Sequence, residues 1–281
     1  MREGAIALAG GRALAFCEWG DAGGSPVVLF HGSPGSRLFC PDDDATRDAG
    51  VRLVTFDRPG YGLSAPRPDR RLLDTADDVA ALLDHLAIDR CAVIGWSGGG
   101  PFAVATAYAL AERVTHLSVV SAPGPLDEVP DAWERLGEYR RPTAEMARRE
   151  PARSVRAIAR HMGPFLEDPV SFLGRNDPVL RGAAYPMLVA QVTEATRQGA
   201  GGIAADLVAM WCNWGFTLAD VDTPARVFHG ALDPNNGSDA RCYGENMPNA
   251  SLTVWDDTGH LGVIVHWSGL LAAAVATAGG V

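Results

Sequence analysis

Short apolar runs alternate with longer stretches of helical periodicity along this 281-residue chain. Residues 5–9 and 13–19 are separated by Gly10 and Gly11, a spacing that predicts a β-hairpin. Further apolar runs predict strands at 27–30, 51–56, 91–94, 114–120, 225–228 and 252–255. Several of these runs have no polar alternation, which is typical of a parallel sheet covered by helices on both faces.

Helical patterns fill several of the intervals between these strands. Within residues 74–87, apolar side chains recur at the three- and four-residue spacing of one helix face. Residues 101–111 and 261–276 are rich in alanine and other good helix formers. The repetition of strand, helix and strand predicts an α/β fold with a mostly parallel central sheet flanked by helices.

The stretch from about residue 123 to residue 220 interrupts this rhythm. It contains no buried-strand pattern, and prolines divide it into short helical segments. Connections of this length usually carry structure or function of their own. We therefore predict a helical cap (lid) at 123–220 over a core domain formed by 1–122 and 221–281. A separate helical domain is the alternative.

Composition and charge exclude several classes of function. The net charge of −10 disfavours nucleic acid as a partner. The chain contains no lysine, so a lysine Schiff base, a P-loop lysine and a Ser-Lys dyad are impossible. The five scattered cysteines include no C-x-x-C pair, which argues against disulfides and a cysteine zinc site. Without a signal peptide or an apolar run of membrane-spanning length, we expect a cytoplasmic protein that binds no membrane, metal or cofactor.

The sequence Gly-Trp-Ser-Gly-Gly at 95–99 follows a predicted strand and precedes a predicted helix. This is the G-x-S-x-G pattern in its required strand–turn–helix context. A nucleophile on so tight a turn needs small neighbours, which Gly95 and Gly99 supply. The turn would expose the Ser97 hydroxyl at the carboxyl edge of the sheet and direct the Gly98 amide towards an incoming anion.

With this motif and four others, the chain resembles enzymes of the α/β-hydrolase fold. The supporting segments are 31–35 (His-Gly-Ser-Pro-Gly), 57–64, 229–233 (His-Gly-Ala-Leu-Asp) and 259–260 (Gly-His). The order nucleophile, acid, histidine belongs to this fold. The resemblance implies a triad of Ser97, Asp233 and His260, with Asp127 as a rival acid. Pro234 directly beside the acid departs from the family, whose members often carry this proline a few residues later.

The resemblance also implies an oxyanion hole, the pair of N–H donors that stabilises negative charge on a reacting carbonyl oxygen. One donor would be the amide of Gly98. The other would be the amide of Ser33, in the loop after the strand at 27–30. The candidates for the substrate pocket are Trp96, His161, Trp211 and Trp214, and ordinary core packing is the favoured interpretation for the aromatic residues.

A triad of this kind predicts a serine hydrolase that cleaves a small carboxylic ester, thioester or lactone through an acyl-enzyme. The partner would be a small-molecule acyl substrate. Four alternatives stay open: a carbon–carbon bond hydrolase, a cofactor-free perhydrolase, a non-hydrolytic cyclase or lyase, and a small-molecule binder on the same scaffold. A proline-iminopeptidase-like amide hydrolase is disfavoured because Trp96 precedes the serine rather than following it. Epoxide hydrolase and dehalogenase chemistry is excluded because it needs a carboxylate nucleophile.

Overall fold

The computed structural model describes residues 1–168 and 178–276. Its strands are β1 (Arg2–Ala7), β2 (Ala13–Gly20), β3 (Ser25–Phe30), β4 (Val51–Phe56), β5 (Cys91–Trp96), β6 (Val114–Val120), β7 (Ala225–Gly230) and β8 (Ala250–Trp255). They form one sheet in the order β1-β2-β4-β3-β5-β6-β7-β8. Strand β2 runs antiparallel to its neighbours β1 and β4, and the remaining neighbours pair in parallel. The predicted mostly parallel sheet is confirmed.

Helices cover both faces of this sheet. Those of the first half are α1 (Asp43–Asp48), α2 (Asp74–His85) and α3 (Gly100–Ala109). Between β6 and β7 lie α4 (Ala132–Arg135), α5 (Gly137–Arg149), α6 (Pro151–His161), α7 (Gly163–Glu167), α8 (Tyr185–Ala195) and α9 (Gly201–Trp211). The last are α10 (Gly237–Asn246), α11 (Gly262–Val265) and α12 (Trp267–Ala276). No helix among the described residues is long and apolar enough to cross a membrane.

Alternation along the central strands divides the core into two layers. In β3, Val28 and Phe30 belong to the cluster beneath α2 and α3, whereas Val27 and Leu29 belong to the cluster beneath α12. All four side chains are fully buried. Burial on both faces explains why this strand is a continuous apolar run in the sequence.

Two predicted elements differ from the structure in their extent. The predicted helix at 261–276 is broken at His266 into α11 and α12. The His266 ring stacks on Trp255 at 4.2 Å between centroids and bonds Asp257, so tertiary contacts prevail over helix propensity there. Strand β5 continues through Trp96, two residues beyond the predicted 91–94, which brings the strand directly to Ser97.

Within 121–168 and 178–224, the segment between β6 and β7 forms helices joined by turns and loops and contains no strand, in the part of the chain predicted as a cap. Helices α5, α6 and α9 share a small apolar cluster of their own, formed around Ala147, Val155 and Ala204. Helix α8 instead joins the main core through Leu188, which lies in the same cluster as Trp96. Helix α9 contributes to both the small cluster and the core, because its Ala209 and Met210 lie in the core cluster beneath α2 and α3. Helices α5 and α6 are thus joined to the core through α9.

Candidate active site

Ser97 occupies a sharp turn between β5 and α3. Its φ of +52° lies in the left-handed region, which a non-glycine residue enters at a cost of about 1–3 kcal/mol. A Cβ atom on Gly95 would come within 2.6 Å of the Ala103 Cβ, and one on Gly99 within 2.2 Å of the Phe30 carbonyl oxygen. Glycine is therefore required at both flanking positions, as the motif predicts.

Three side chains from separate loops meet at this turn. The Ser97 hydroxyl donates to Nε2 of His260 at 2.9 Å, and Nδ1 of His260 donates to the Asp233 carboxylate at 2.7 Å. The second carboxylate oxygen of Asp233 accepts the backbone N–H of Asn235 at 2.9 Å. The indole N–H of Trp96 donates to the His260 carbonyl at 3.0 Å, which fixes the loop that carries the imidazole. This is the geometry of a nucleophile, a base and an orienting acid.

Burial differs along this row of side chains. The Asp233 side chain is fully buried, whereas 37% of the His260 side chain remains accessible. Burial by itself raises the pKa of Asp233, but the hydrogen bond and charge of His260 and the Asn235 amide reverse this and leave the pKa below its ordinary value. The acid therefore stays ionised at neutral pH, while the base can be reached from solvent.

Two other carboxylates, the rival acid Asp127 and Asp57 of the segment 57–64, have different partners. Asp127 is exposed and forms a bidentate pair with Arg148, with both N···O distances 2.9 Å. Asp57 is fully buried and accepts the backbone N–H groups of Arg37 and Leu63 at 2.7 and 2.9 Å. Neither carboxylate bonds His260. The structure thus brings Asp233, and not Asp127, to the imidazole.

The two residues expected to supply the oxyanion donors lie against each other. A Cβ atom on Gly98 would come within 3.1 Å of the Ser33 backbone nitrogen and 2.6 Å of the Ser33 hydroxyl oxygen. Gly32 lies equally close, since its added Cβ would be 3.5 Å from the Ser97 Cβ. The loop after β3 therefore passes directly beside the nucleophile, with the Ser33 backbone nitrogen close to Gly98.

A buried ionic cluster lies beneath this loop. Asp206 of α9 is 0% exposed and pairs with Arg58 at 2.6 Å and with Arg70. The same carboxylate accepts the hydroxyls of Ser33 at 2.6 Å and Tyr61 at 2.7 Å. Burial favours the neutral acid, but the two guanidinium groups outweigh it and hold the pKa of Asp206 well below its ordinary value. The cluster is thus fully ionised.

Sequence reasoning named Ser33 as an oxyanion donor but did not identify Asp206 or its two arginine partners. A signal was available, because Asp206 is the only charged residue in the helix Gly201–Trp211. A lone acid within an apolar helix indicates a buried charge, and buried charges need partners. The partners themselves follow β3 and β4, which are distant from α9 in sequence.

The predicted pocket residues have different surroundings. Trp96 stacks on Phe39 at 4.8 Å and lies beside His260. Trp214 is buried in the core cluster beneath α2 and α3. Trp211 packs against the cluster shared by α5, α6 and α9. His161 is exposed at the end of α6, and its Nδ1 donates to the Ala157 carbonyl. Of these four residues, the structure brings Trp96 alone into contact with the triad.

Two buried histidines have surroundings that keep their rings neutral. His31 donates from Nδ1 to the Gly32 carbonyl at 2.7 Å, and burial together with Arg58 holds its pKa well below the ordinary value. His116 lies within β6, where burial lowers its pKa to about 4. Both rings are neutral at physiological pH. Within 1–168 and 178–276, no group of three or more metal-ligating side chains is close enough to hold an ion.

Comparison with known proteins assigns the fold to a family. Residues 25–266 match the family model described as alpha/beta hydrolase fold. The chain belongs to the alpha/beta hydrolase fold family. The enol-lactonase of Burkholderia xenovorans LB400 superposes with a TM-score of 0.70, covering 99% of this chain and 100% of that one, at 20% identity. At this identity the likeness establishes the fold alone.

Two characterised relatives are similar in sequence. A 2-hydroxy-6-oxononadienedioate/2-hydroxy-6-oxononatrienedioate hydrolase of Burkholderia vietnamiensis is 29% identical over 256 residues, which is 85% of this chain and 81% of that protein. A proline iminopeptidase of Xanthomonas citri is 34% identical over 112 residues, 38% of this chain and 35% of that protein. The chain spans about a third of the length of the curated relatives it matches with the highest significance. The family and these names support hydrolytic activity.

Proposed function

We propose that this protein is a serine hydrolase that cleaves a small carboxylic ester, thioester or lactone through an acyl-enzyme. The observation that carries the proposal is the unbroken row from the Ser97 hydroxyl through His260 to Asp233, with contacts of 2.9 and 2.7 Å. A serine hydroxyl is a poor nucleophile unless a base in hydrogen-bond reach removes its proton. This row supplies the base and the carboxylate that keeps the base in the correct tautomer.

The reaction follows from these contacts. Ser97 Oγ attacks the substrate carbonyl carbon while its proton passes to Nε2 of His260. The negative charge formed on the carbonyl oxygen is stabilised by the amides of Ser33 and Gly98, each worth roughly 3–4 kcal/mol. The tetrahedral intermediate then expels the alcohol or thiol, which takes the proton from His260. Water, deprotonated by the same imidazole, hydrolyses the acyl-enzyme and regenerates Ser97.

The charges around the site favour a neutral acyl group over an amino-terminal peptide. Recognition of a free amine requires an unpaired carboxylate near the nucleophile. Asp206, the buried acid beside the oxyanion loop, is neutralised by Arg58 and Arg70. Glu194 of α8 is likewise paired, with Arg37 at 2.7 Å. Both carboxylates are paired with guanidinium groups and are not free to bind the amino group of a peptide. This pairing supports an ester or lactone substrate and disfavours an aminopeptidase.

Cleavage of a carbon–carbon bond is the second candidate, because the relative that spans most of this chain is named for a 2-hydroxy-6-oxo diacid. Such a diacid needs cationic groups to bind its carboxylates. Arg58 and Arg70, the cations beneath the oxyanion loop, are both paired with Asp206 and are not free to bind a substrate carboxylate. This pairing is the reason we place the ester or lactone first.

The test is turnover of p-nitrophenyl acetate and labelling by a fluorophosphonate, in the wild type and in Ser97→Ala. We expect multiple turnovers and stoichiometric labelling of the wild type, and neither in the variant. Ser251→Ala, a change on the exposed face of β8, should behave as the wild type. Labelling without turnover would favour a binder. A panel of esters, thioesters, lactones, an aminoacyl anilide and a 2-hydroxy-6-oxo diacid, run in ¹⁸O-water, would separate hydrolysis from lyase or cyclase chemistry.

A further inference from the structure

We propose that Asp206, on helix α9 of the predicted cap, is a positioning residue for the oxyanion hole. It would act by holding the Ser33 hydroxyl and the Arg58 guanidinium, so that the Ser33 amide faces the reacting carbonyl. The inference rests on the proposed function, since an oxyanion hole has meaning only if the site performs acyl transfer. It adds a role for a residue that touches neither the triad nor the substrate.

The first step of the argument is the direct contact between Asp206 and the loop. The Ser33 hydroxyl donates to the Asp206 carboxylate at 2.6 Å and accepts from Arg58 at 2.8 Å. With its side chain held on both sides, Ser33 has little freedom to rotate its backbone. The Gly98 Cα lies against this side chain, so the constrained residue is the one beside the nucleophile.

The second step runs through Arg58. This guanidinium is fully buried and donates to the carbonyls of His31 and, at 3.1 Å, Gly32. It therefore holds the peptide unit between His31 and Gly32 and the next unit, which itself carries the Ser33 N–H. A buried cation needs a compensating anion to remain in such a place, and Asp206 is that anion. Loss of the carboxylate would free Arg58 to move and release both carbonyls.

The third step is the rigidity of the helix that presents Asp206. Helix α9 approaches the loop after β4 so closely that a Cβ atom on Gly202 would come within 2.7 Å of the Gly60 carbonyl oxygen. Arg70 joins the same two segments, because it donates to the Gly202 carbonyl at 3.0 Å and to the Pro59 carbonyl at 2.9 Å. The geometry of the oxyanion loop is thus tied to the seating of a helix from the insertion.

The experiment compares Ser33→Ala, Asp206→Asn and the double variant. Ser33→Ala keeps the backbone donor and removes only the hydroxyl that Asp206 holds. We expect kcat to fall about tenfold in Ser33→Ala, the size of one hydrogen bond, and about a hundredfold in Asp206→Asn. KM should change by less than about threefold in both. Because both changes break the same contact, the double variant should be close to Asp206→Asn alone and clearly faster than the product of the two single losses.

A second measurement distinguishes positioning from simple loss of stability. A trifluoromethyl ketone forms a tetrahedral adduct with the serine and places an oxyanion in the hole, whereas the matching methyl ketone binds without one. Affinity for the trifluoromethyl ketone should fall in proportion to kcat/KM across the variants, with affinity for the methyl ketone unchanged. Asp78→Asn, which breaks the buried pair with Arg12 away from this loop, is the matched control and should keep the wild-type kcat.

Each outcome bears on the proposal. If Ser33→Ala retains the wild-type kcat and trifluoromethyl ketone affinity, the positioning role is overturned, whether or not Asp206→Asn folds. Fully additive losses in the double variant would also overturn it, because the two side chains would then act separately. If the wild type itself shows no turnover and no serine labelling, the proposed function fails, and that result is distinguishable from unaffected variants in an active enzyme.

Discussion

Asp233 and Asp206 are both almost completely buried, with 6% and 0% of their surface exposed, yet their partners differ in kind. Asp233 bonds an imidazole and a backbone amide. Asp206 bonds two guanidinium groups and two hydroxyls. An imidazole gains and loses a proton near neutral pH, whereas a guanidinium stays charged at every pH that proteins tolerate. The first carboxylate thus belongs to a pair whose charge can change during turnover, and the second to a cluster whose charge is fixed.

The two carboxylates also belong to different parts of the chain. Asp233 follows β7 in the sheet domain, and its partner follows β8, so the pair is set by two neighbouring strands. Asp206 lies on α9, between β6 and β7, and its partners follow β3 and β4. Under the proposed function, the sheet would supply the reactive groups, and the inserted helix α9 would orient the loop beside them. The predictions below test this division, beginning with the largest effect.

Replacing Asp233 by asparagine should give the largest loss of activity. Asparagine can present its amide N–H to the imidazole and stabilise the wrong tautomer, for which we expect kcat to fall about ten-thousandfold. Stability should change little, since the shape is kept and only one hydrogen bond is altered. Steady-state kinetics and urea unfolding of the same preparation would check both. A kcat within tenfold of the wild type would remove Asp233 from the proposed role.

Replacing Asp206 by alanine should instead affect folding first. Removal of one partner from a buried ionic cluster leaves uncompensated charge, which typically destabilises by about 3–5 kcal/mol. We expect a reduction of this size in the free energy of unfolding, measured in urea, because Arg58 and Arg70 are 0% and 4% exposed and water has little access to replace the carboxylate. A reduction below about 1 kcal/mol would mean that the two arginines reach solvent when unpaired, and the contrast with Asp233 would disappear.

Sequence analysis predicted Asp233 but not Asp206, and this difference has a physical reason. The segment from His229 to Asp233 directly follows a strand, and the edge of a parallel sheet gathers residues that follow strands. Local pattern, topology and the resemblance to the family together predicted Ser97, Asp233 and His260, whose side chains the structure brings into contact. The sharp turn at Ser97 was equally predictable from the sequence, because steric contact restricts positions 95 and 99 to glycine.

Asp206 was not predictable in the same way. Its position depends on how α9 folds back over the loop after β3, and no periodicity in the sequence specifies that docking. The pocket residues illustrate the same limit. Trp214 and Trp211 are close in sequence but pack into different clusters, one in the core and one among α5, α6 and α9. Sequence patterns predicted the strands of the sheet and the residues that follow them. The surroundings of the inserted helices depend on tertiary packing, which these patterns do not specify.

The free energy of unfolding at acidic pH should show that Asp206 and Asp233 are ionised in the folded protein. The folded-state pKa values of Asp206 and Asp233 lie below the ordinary value of about 3.9. A lowered pKa contributes stability that is present above the unfolded value and is lost as pH falls through the folded value. The free energy of unfolding should therefore decline below about pH 4. In Asp206→Asn the decline should be smaller, and its curve should approach that of the wild type at the acidic end. Parallel curves would show that Asp206 is not ionised in the folded protein.

The smallest effect should come from Asp127, the acid that competed with Asp233 in the sequence. It is exposed and paired with Arg148 at the surface, where such pairs contribute about 0–1 kcal/mol. Asp127→Asn should keep kcat within about twofold of the wild type, since the carboxylate does not bond His260. Its melting temperature should shift less than that of Asp206→Ala, measured side by side. A large loss of kcat in Asp127→Asn would reassign the acid to the loop after β6 and break the division between reactive and fixed carboxylates on which the comparison rests.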